Sequence, residues 1–408
     1  MMTYPTSLAP LAVRDFRFFL VARFLLTVSF QMTAVAVGWQ VYDLTRDPFF
    51  LGMVGLSAFL PALVSALPAG QAADRFDRRT IMIVCTAIYG AAILALVVTA
   101  KLPRPPVAGI FAVVATLGVA RAFLAPASQS LVPLLVPTAI FPRAVAWSST
   151  SMQVAIIIGP ALGGLLYILG PAAVYGAATA MVAGATDAIL RLRRHLVSHT
   201  HSAAGFTGLL AGVHYVRSRR DILGAISLDL FAVLLGGATA LLPIYARDIL
   251  HVGPEGLGVL RSAPAMGAAI MSVVLAHRPL ERRVGVKLFA AVALFGIATV
   301  VFGLSRNIAL SLAALIVLGA ADMISVVVRQ TLVQIRTPDA MRGRVSAVNW
   351  VFIGASNELG EFESGVTAAW FGTVPAVVIG GIGTLLVAAI WAWRFPELRR
   401  VDDLTSPA

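Results

Sequence analysis

The chain repeats itself at a constant offset of 201 residues, which is about half of its length of 408 residues. When Arg121 is set against Asp322, the identical pairs include Gln129/Gln330, Leu131/Leu332, Val132/Val333, Pro137/Pro338, Arg143/Arg344, Ala146/Ala347, Gly159/Gly360 and Gly164/Gly365. A period this long indicates two homologous halves, each forming its own bundle. The repeat therefore predicts a duplicated, pseudo-symmetric fold, of the kind that carries a solute through the gap between its halves.

The composition places this duplicated fold in a membrane. Hydrophobic residues make up 59% of the chain and charged residues only 12%, whereas soluble proteins carry roughly 25% charged residues. Apolar runs long enough to cross a bilayer recur along the whole length and predict an all-α membrane protein. The twelve predicted spans are 16–41, 50–73, 80–100, 106–132, 144–169, 172–191, 221–247, 256–277, 286–304, 308–334, 345–371 and 375–395.

The basic residues orient these spans. The even-numbered loops and the termini hold 22 Lys and Arg residues, and the opposite side holds 5. Positive residues gather on the cytoplasmic side, so both termini are expected in the cytoplasm of a cell with a bacterial-type inner membrane. Because the net charge of +12 sits in short loops, nucleic acid is not an expected partner. The predicted bundles are 1–191 and 221–408, joined by a cytoplasmic linker at 192–220.

The linker is basic and contains His195, His199 and His201. No cysteine or acidic residue accompanies these histidines, so the expectation is a solvated segment without a metal. Its basic residues are predicted to touch anionic membrane lipid. No cofactor is expected, because the glycine-rich stretches lie inside apolar spans and lack the pattern of a nucleotide loop. An enzyme is disfavoured, because no nucleophile–base set is recognisable.

Two short motifs carry a family likeness. The loop between the second and third spans reads GQAADRFDRR from Gly70 to Arg79, and the fifth span contains GPALGG from Gly159 to Gly164. The loop resembles the signature G-x-x-x-D-R-x-G-R-R of the major facilitator superfamily, with Asp77 in place of the second glycine. The fifth-span motif looks like the G-P-x-x-G-G motif of the exporters in that superfamily.

Finer detail resembles the enterobactin-exporter-like branch of the superfamily. The likeness rests on the run 31–45 (QMTAVAVGWQVYDLT), on Pro126 and on the region of Asn357 and Glu358, and it covers the whole chain. Many members also place a membrane-embedded arginine where this chain has Arg121. The resemblance implies twelve helices in two six-helix bundles, a site near the middle of the bilayer, alternating access and a monomeric chain.

The same resemblance assigns a conformational role to both motifs. In the loop, Gly70 is expected to let two helices approach closely, and Asp74 to cap the following helix or face another helix N-terminus. In the fifth span, Pro160 removes a backbone donor, and the glycines beside it permit a tight and flexible contact between the halves. The predicted switch residues are Gly70, Asp74, Arg75, Arg78, Gly159, Pro160, Gly163 and Gly164.

Polar residues inside the spans are the candidates for the transport pathway, because each ionisable group there costs about 2.5–3.5 kcal/mol on insertion scales. Asp322 and Arg329 share one face of the tenth span and are expected to form a pair. Glu358 and Glu361 share one face of the eleventh and are candidates for proton or cation binding, or for salt bridges to Arg121 or Arg329. The predicted pathway residues are Gln31, Trp39, Gln40, Arg121, Asp229, Asp322, Arg329, Asn357, Glu358 and Glu361.

These features predict a secondary transporter that is driven by a proton or other ion gradient. The expected substrate is an amphipathic organic molecule, such as a siderophore or a drug, and the expected direction is outward. A catechol-type anion would suit Arg121 or Arg329, and an organic cation would suit Glu358 and Glu361. The first span contains no acidic residue within its apolar stretch. An uncoupled facilitator or importer, or a lipid flippase, is therefore the alternative.

Overall fold

A computed structural model describes residues 9–193, 206–280 and 282–402, and these residues fold almost entirely as helices. Within these ranges, the twelve long helices, α1 to α12 in chain order, are Arg14–Thr45, Pro48–Arg75, Arg78–Ala100, Val107–Leu135, Phe141–Tyr167, Pro171–Leu190, Arg220–Leu235, Gly253–His277, Val284–Leu304, Ile308–Arg336, Asp339–Phe371 and Thr373–Arg394. Each predicted span coincides with one of these helices; the fifth, sixth and twelfth end one or two residues beyond their helices, and the seventh ends twelve residues beyond Leu235. The all-helical expectation is therefore confirmed.

Most of these helices have the length and composition of membrane spans. Over the described residues, eleven helical segments are long and apolar enough to cross a bilayer. The exception is α11, whose second half contains Glu358, Glu361 and Glu363. Its 33 residues nevertheless exceed the roughly 20 that a span requires. The acidic residues that exclude α11 from the apolar set are the same ones that make it a candidate for function.

The seventh span is broken near its middle, where the sequence predicts a continuous helix over 221–247. Helix α7 ends at Leu235, and after two glycines the chain continues as a 3-10 turn at Ala238–Leu241 and a π turn at Tyr245–Ile249. A Cβ atom at Gly237 would lie 2.5 Å from the carbonyl oxygen of Gly360 in α11. Only glycine tolerates this approach, and the paired glycines also weaken the helix locally.

The first compact unit contains residues 1–44, 57–202 and 254–262. Its core is built by four helices, α1, α3, α4 and α6, whose inner faces meet. The buried residues at its centre include Phe16, Phe19, Met82, Cys85, Ala127, Leu131, Ala185 and Ile189. These side chains recur every three or four residues on their helices, as expected for helices that bury one face.

The second compact unit contains residues 45–56, 203–253 and 263–408. Its core is built by α7, α9, α10 and α12, which are the repeat equivalents of α1, α3, α4 and α6. The buried residues at its centre include Ala225, Leu228, Val284, Leu288, Val328, Leu332, Val387 and Ala388. The same four helices of each half therefore make the core of each unit, as the duplication predicts. The boundaries at 191 and 220 stay a prediction.

The linker is more ordered than the sequence indicates. Residues Phe206–Ser218 form a helix, called the linker helix below, where a solvated segment was expected. Its Val216 is 3% exposed and belongs to a cluster with Val345 and Val348 of α11. A helix with one apolar face stays folded when that face is covered, which explains the difference. The histidines at 195, 199 and 201 lie outside the described residues.

Candidate functional site

A buried ion pair in the second unit joins α7 to α10. The Nη1 atom of Arg329 donates a hydrogen bond to Oδ2 of Asp229, and these residues are 2% and 5% exposed. The sequence predicted a pair between Arg329 and Asp322 within α10; the salt bridge of Arg329 is instead with Asp229 on α7, and Asp322 interacts with Arg329 only electrostatically. Spacing on one helix identified a face but could not reveal an acid on the neighbouring helix, whose position depends on packing.

Asp322 remains close to this pair although it does not bind Arg329 directly. It interacts electrostatically with both Asp229 and Arg329. Asp229 and Asp322 line one cavity of about 10 Å³, together with Ser325 and apolar side chains of α7, α9 and α10. A single water requires roughly 10–15 Å³ on this measure. The cavity therefore suits a water or a proton, and it is too small for an organic substrate.

The polar residues of α11 form a second group in the same unit. Glu358 and Glu361 are partly buried, and Asn357 is exposed. The Oε2 atom of Glu361 lies 3.0 Å from the place that a Cβ atom of Gly55 would take. Glu363 accepts a hydrogen bond of 2.7 Å from the Thr367 hydroxyl, one turn along the helix. The guanidinium of Arg329 binds Asp229, and a salt bridge from Glu358 or Glu361 to Arg121 or Arg329 stays a prediction.

The polar residues of α1 are packed into the first unit. Gln40 is 4% exposed, and its Oε1 atom accepts a hydrogen bond of 2.7 Å from the Tyr175 hydroxyl. Trp39 is 8% exposed, with its ring centroid 6.3 Å from that of Tyr167. Gln31 is partly buried. Of these three pathway candidates, Trp39 and Gln40 make contacts that hold α1 against neighbouring helices.

Arg121 has a different environment. Arg121 is exposed although it lies in the middle of α4. Its Cζ atom lies 4.0 Å from the centroid of the Phe30 ring. A guanidinium over an aromatic face is held by the ring quadrupole and keeps its N–H groups available. Arg121 can therefore present a positive charge to a ligand.

The loop motif divides into residues with and without visible contacts. A Cβ atom at Gly70 would meet nothing within 4 Å, so the prediction that Gly70 permits close helix packing was wrong. Asp74 lies in α2, and its side chain is outside the described set. Arg75 is exposed. Arg78 donates a hydrogen bond of 3.1 Å to the carbonyl of Ser130 near the end of α4.

Sequence reasoning missed the roles of the next residues in this loop. Asp77 is the N-cap of α3, accepting hydrogen bonds from the Arg79 amide at 3.3 Å and from the Thr80 hydroxyl at 3.0 Å. The Arg79 guanidinium binds the carbonyls of Ile189 and Leu190 at the end of α6. The sequence does contain the signal for this cap, because an Asp directly before a helix is a preferred N-cap.

The small residues of α5 make close contacts on two sides. A Cβ atom at Gly159 would lie 2.6 Å from Cβ of Gln31, and one at Gly163 would lie 2.9 Å from Cα of Met32, both on α1. On the other side, a Cβ atom at Gly164 would lie 3.0 Å from Cα of Gly258 on α8. Pro160 lies at the same contact, because its carbonyl oxygen is 2.5 Å from the position that a Cβ atom at Gly258 would take. The motif therefore seats α5 between two helices.

The arrangement defines a class of protein. Duplicated helical units, long apolar helices and ionisable groups buried within them are the features of a secondary transporter of the major facilitator type. Residues 5–407 match the profile of a family described as "Transmembrane secretion effector". The chain belongs to this family, within the major facilitator superfamily, and is a multi-pass membrane transporter.

Characterised relatives cover nearly the whole chain. The enterobactin exporter EntS of Citrobacter koseri is 27% identical over 396 residues, which covers 94% of this chain and 92% of the relative. The exporter of the same name from Escherichia coli O139:H28 is 26% identical over 394 residues, with the same coverage. These relatives are transporters and not enzymes. The resemblance to the exporter branch of the superfamily is confirmed.

Solved structures support the fold. A bacterial homologue of the human lysosomal transporter Spinster, described as inward-facing and unoccupied, superimposes with a TM-score of 0.77 and 12% identity, covering 100% of both chains. The nucleoside transporter NupG gives a TM-score of 0.72 and 15% identity, covering 93% of this chain and 99% of NupG. At such low identity these similarities establish the major facilitator fold and carry no substrate.

Proposed function

We propose that this transporter is a proton-coupled exporter of an amphipathic organic anion, working by alternating access across the inner membrane. The observation that carries the proposal is the triad of Asp229, Arg329 and Asp322, in which Arg329 binds Asp229 and the two carboxylates line a cavity of one-water size. It provides a place where a single proton can be held and released inside a membrane span.

The charges of the triad explain why it would bind a proton. With both carboxylates ionised, one guanidinium faces two acids and the group carries one net negative charge. With one proton bound, the group is neutral. An uncompensated charge is costly in a membrane interior, so a water-sized opening onto the triad favours proton uptake. The release of that proton on the other side would couple transport to the gradient.

The first unit supports the substrate class. Arg121 and Phe30 together present a cation beside an aromatic face, which is suited to an anionic group on an aromatic or otherwise planar molecule. Arg329 is less suited, because Asp229 already neutralises it. Relatives that export enterobactin point in the same direction. A siderophore-like or drug-like anion is therefore the proposed cargo.

Glu358 and Glu361 are proposed as a second titratable step on the pathway, with Asn357 beside them. Their partial burial on α11 leaves them reachable by water, and two carboxylates on one helix face favour binding of a shared proton or cation. If they carry protons, Glu358→Gln or Glu361→Gln abolishes transport driven by a pH gradient. Gradient dependence that survives in both variants would remove them from the coupling path.

The proposed setting follows from the basic residues. The excess of 22 over 5 Lys and Arg supports cytoplasmic termini, so export would move the cargo away from the side that holds both ends of the chain. The contacts of Gly159 to Gly164 on α1 and α8 support α5 as an element on which helices move during alternating access. The transporting form is proposed to be a monomer surrounded by lipid.

The test is substrate-dependent proton flux in proteoliposomes, with a fluorescent catechol siderophore as the probe and the variant Asp322→Asn. The variant keeps the shape of the side chain and removes its negative charge. We expect it to lose accumulation driven by a pH gradient and to retain exchange of substrate for substrate without a gradient. Exchange requires substrate binding and conformational change but no net proton movement.

The matched control is Asp187→Asn, which removes an exposed carboxylate that is paired with Arg191 one turn along α6. It is expected to leave both activities unchanged. Full accumulation by Asp322→Asn would contradict proton coupling at the triad. If wild-type transport ignores the pH gradient altogether, the chain is an uncoupled facilitator or importer. Movement of labelled phospholipid in place of the siderophore would identify a flippase.

A further inference from the structure

The linker helix covers α11 with one face and leaves the opposite face open. Gly212 permits the contact, because a Cβ atom there would lie 2.8 Å from the carbonyl of Arg344. Val216, one turn further along, is buried against the same helix. The Tyr215 hydroxyl donates a hydrogen bond of 3.3 Å to the carbonyl of Arg336. These contacts fix which side of the linker helix faces outward.

The outward side forms one wall of a groove of about 680 Å³. Four residues that line this groove share one face of the linker helix, because they are spaced as i, i+4, i+7 and i+8; they are Leu210, His214, Arg217 and Ser218. The eight residues lining the groove are Leu210, Ala211, Val213, His214, Tyr215, Arg217, Ser218 and Met341. Half of them are apolar and half are polar, and none of these eight is acidic. The groove therefore combines an apolar wall with hydrogen-bond donors.

The charge of the groove is positive. Arg217 and His214 are exposed and line it directly, and the guanidinium of Arg344 lies 3.5 Å from the sulfur of Met341 on the opposite wall. The carboxylate of Asp221, four residues after Arg217, is paired with Arg219 at 3.2 Å and with Arg336 at 3.0 Å. An anion with an attached apolar group is the ligand that such a surface attracts.

The position in the chain places this groove at the edge of the membrane. The linker helix ends at Ser218, and α7 begins a membrane span at Arg220. At 1.5 Å per residue, Leu210 lies no more than about 15 Å from that boundary. Headgroups occupy this depth, where basic clusters next to a span attract anionic lipids. We propose that the groove binds the headgroup of an anionic phospholipid, with Arg217 and His214 as its ligands.

The test is native mass spectrometry of the full-length chain in detergent, titrated with phosphatidylglycerol and, in parallel, with phosphatidylcholine. The wild type should retain phosphatidylglycerol in preference. Arg217→Gln should weaken that retention about fivefold, the effect of one basic residue at a membrane surface, and adding His214→Gln should weaken it further. Both side chains are exposed, and an unchanged elution volume on gel filtration will verify that the variants are folded.

The matched control is Arg278→Gln, which removes an exposed arginine after α8 that does not line the groove. It should retain phosphatidylglycerol as the wild type does. Equal retention by Arg217→Gln and the wild type, or an equal loss in Arg278→Gln, overturns the proposal. Displacement of phosphatidylglycerol by an equal concentration of inorganic phosphate also overturns it, because the groove would then be a site for soluble anions.

Discussion

Arg121 and Asp322 occupy equivalent positions in the two halves, yet they carry opposite charges and have opposite surroundings. Arg121 is exposed over the ring of Phe30 in the first unit. Asp322 lies beside a water-sized cavity and a buried ion pair in the second. Duplication copied the helix, and later substitution gave each copy a different chemistry. This difference underlies our proposal that the first unit recognises the substrate and the second binds the ion.

A second comparison shows what duplication preserved. In the first unit, Gly164 of α5 packs on Gly258 of α8. In the second unit, Gly365 of α11 packs on Gly52 of α2. A Cβ atom at Gly365 would lie 2.7 Å from Cα of Gly52. These contacts involve backbone only, so their requirement is steric and identical in both copies. The units have therefore diverged in charge and have kept their close helix contacts.

The largest effect is expected from Arg329→Gln, which tests the ion-binding side of the comparison. The variant leaves Asp229 buried without its cation, and breaking a buried pair typically costs about 3–5 kcal/mol. We expect a large fall in the thermal unfolding temperature and a loss of transport.

The control for Arg329→Gln is the double variant Asp229→Asn with Arg329→Gln, in which two neutral amides replace the pair. It should recover most of the stability and none of the proton coupling. If the single variant is as stable as the wild type, the pair contributes nothing to the stability of the fold. Arg329 would then not differ from the exposed Arg121 in its contribution to stability.

Arg121→Gln tests the recognition side. Arg121 is exposed and stacks on a ring, so its loss should leave the fold intact and weaken binding of an anionic substrate about tenfold, as expected when a charge-assisted hydrogen bond is removed. Substrate titration by tryptophan fluorescence measures this change. Arg121→Lys should recover only part of the affinity, because a lysine cannot stack as a plane.

Stronger binding of an organic cation by Arg121→Gln would support the same assignment, since removing a positive charge favours cations. Unchanged affinity for anions and for cations would show that Arg121 does not face the substrate. The two units would then not differ in the way that their charges indicate.

The glycine contacts give a prediction about symmetry. Gly164→Ala and Gly365→Ala each insert a methyl group against backbone atoms, and overpacking of this kind costs about 1–3 kcal/mol. We expect nearly equal losses of thermal stability. Gly176→Ala in the first unit and Gly354→Ala in the second are the matched controls, because a Cβ atom at either position meets nothing within 4 Å. A loss confined to one unit would show that the contacts are not equivalent.

The sequence was sufficient for the helices and the duplication, because hydropathy and the internal repeat can be read from the order of the residues alone. It was insufficient for the partner of Arg329, because Asp229 lies one hundred positions away and on another helix. The break after Leu235 was also missed, since the two glycines permit either a helix or a break. Their proximity to α11 favours the break, and that proximity is a tertiary property.

The smallest expected effect concerns how the third helix of each half begins. Asp77 caps α3 with its side chain. In the second half, α9 has no side-chain cap of its own, and Asp402 accepts a hydrogen bond of 2.9 Å from the Arg283 amide instead. Asp77→Ala and Asp402→Ala should each cost about 1 kcal/mol, seen as similar small shifts in thermal unfolding. If only Asp77→Ala also slows transport, this loop has a switching role that its counterpart lacks, because loss of a cap alone would affect both halves alike.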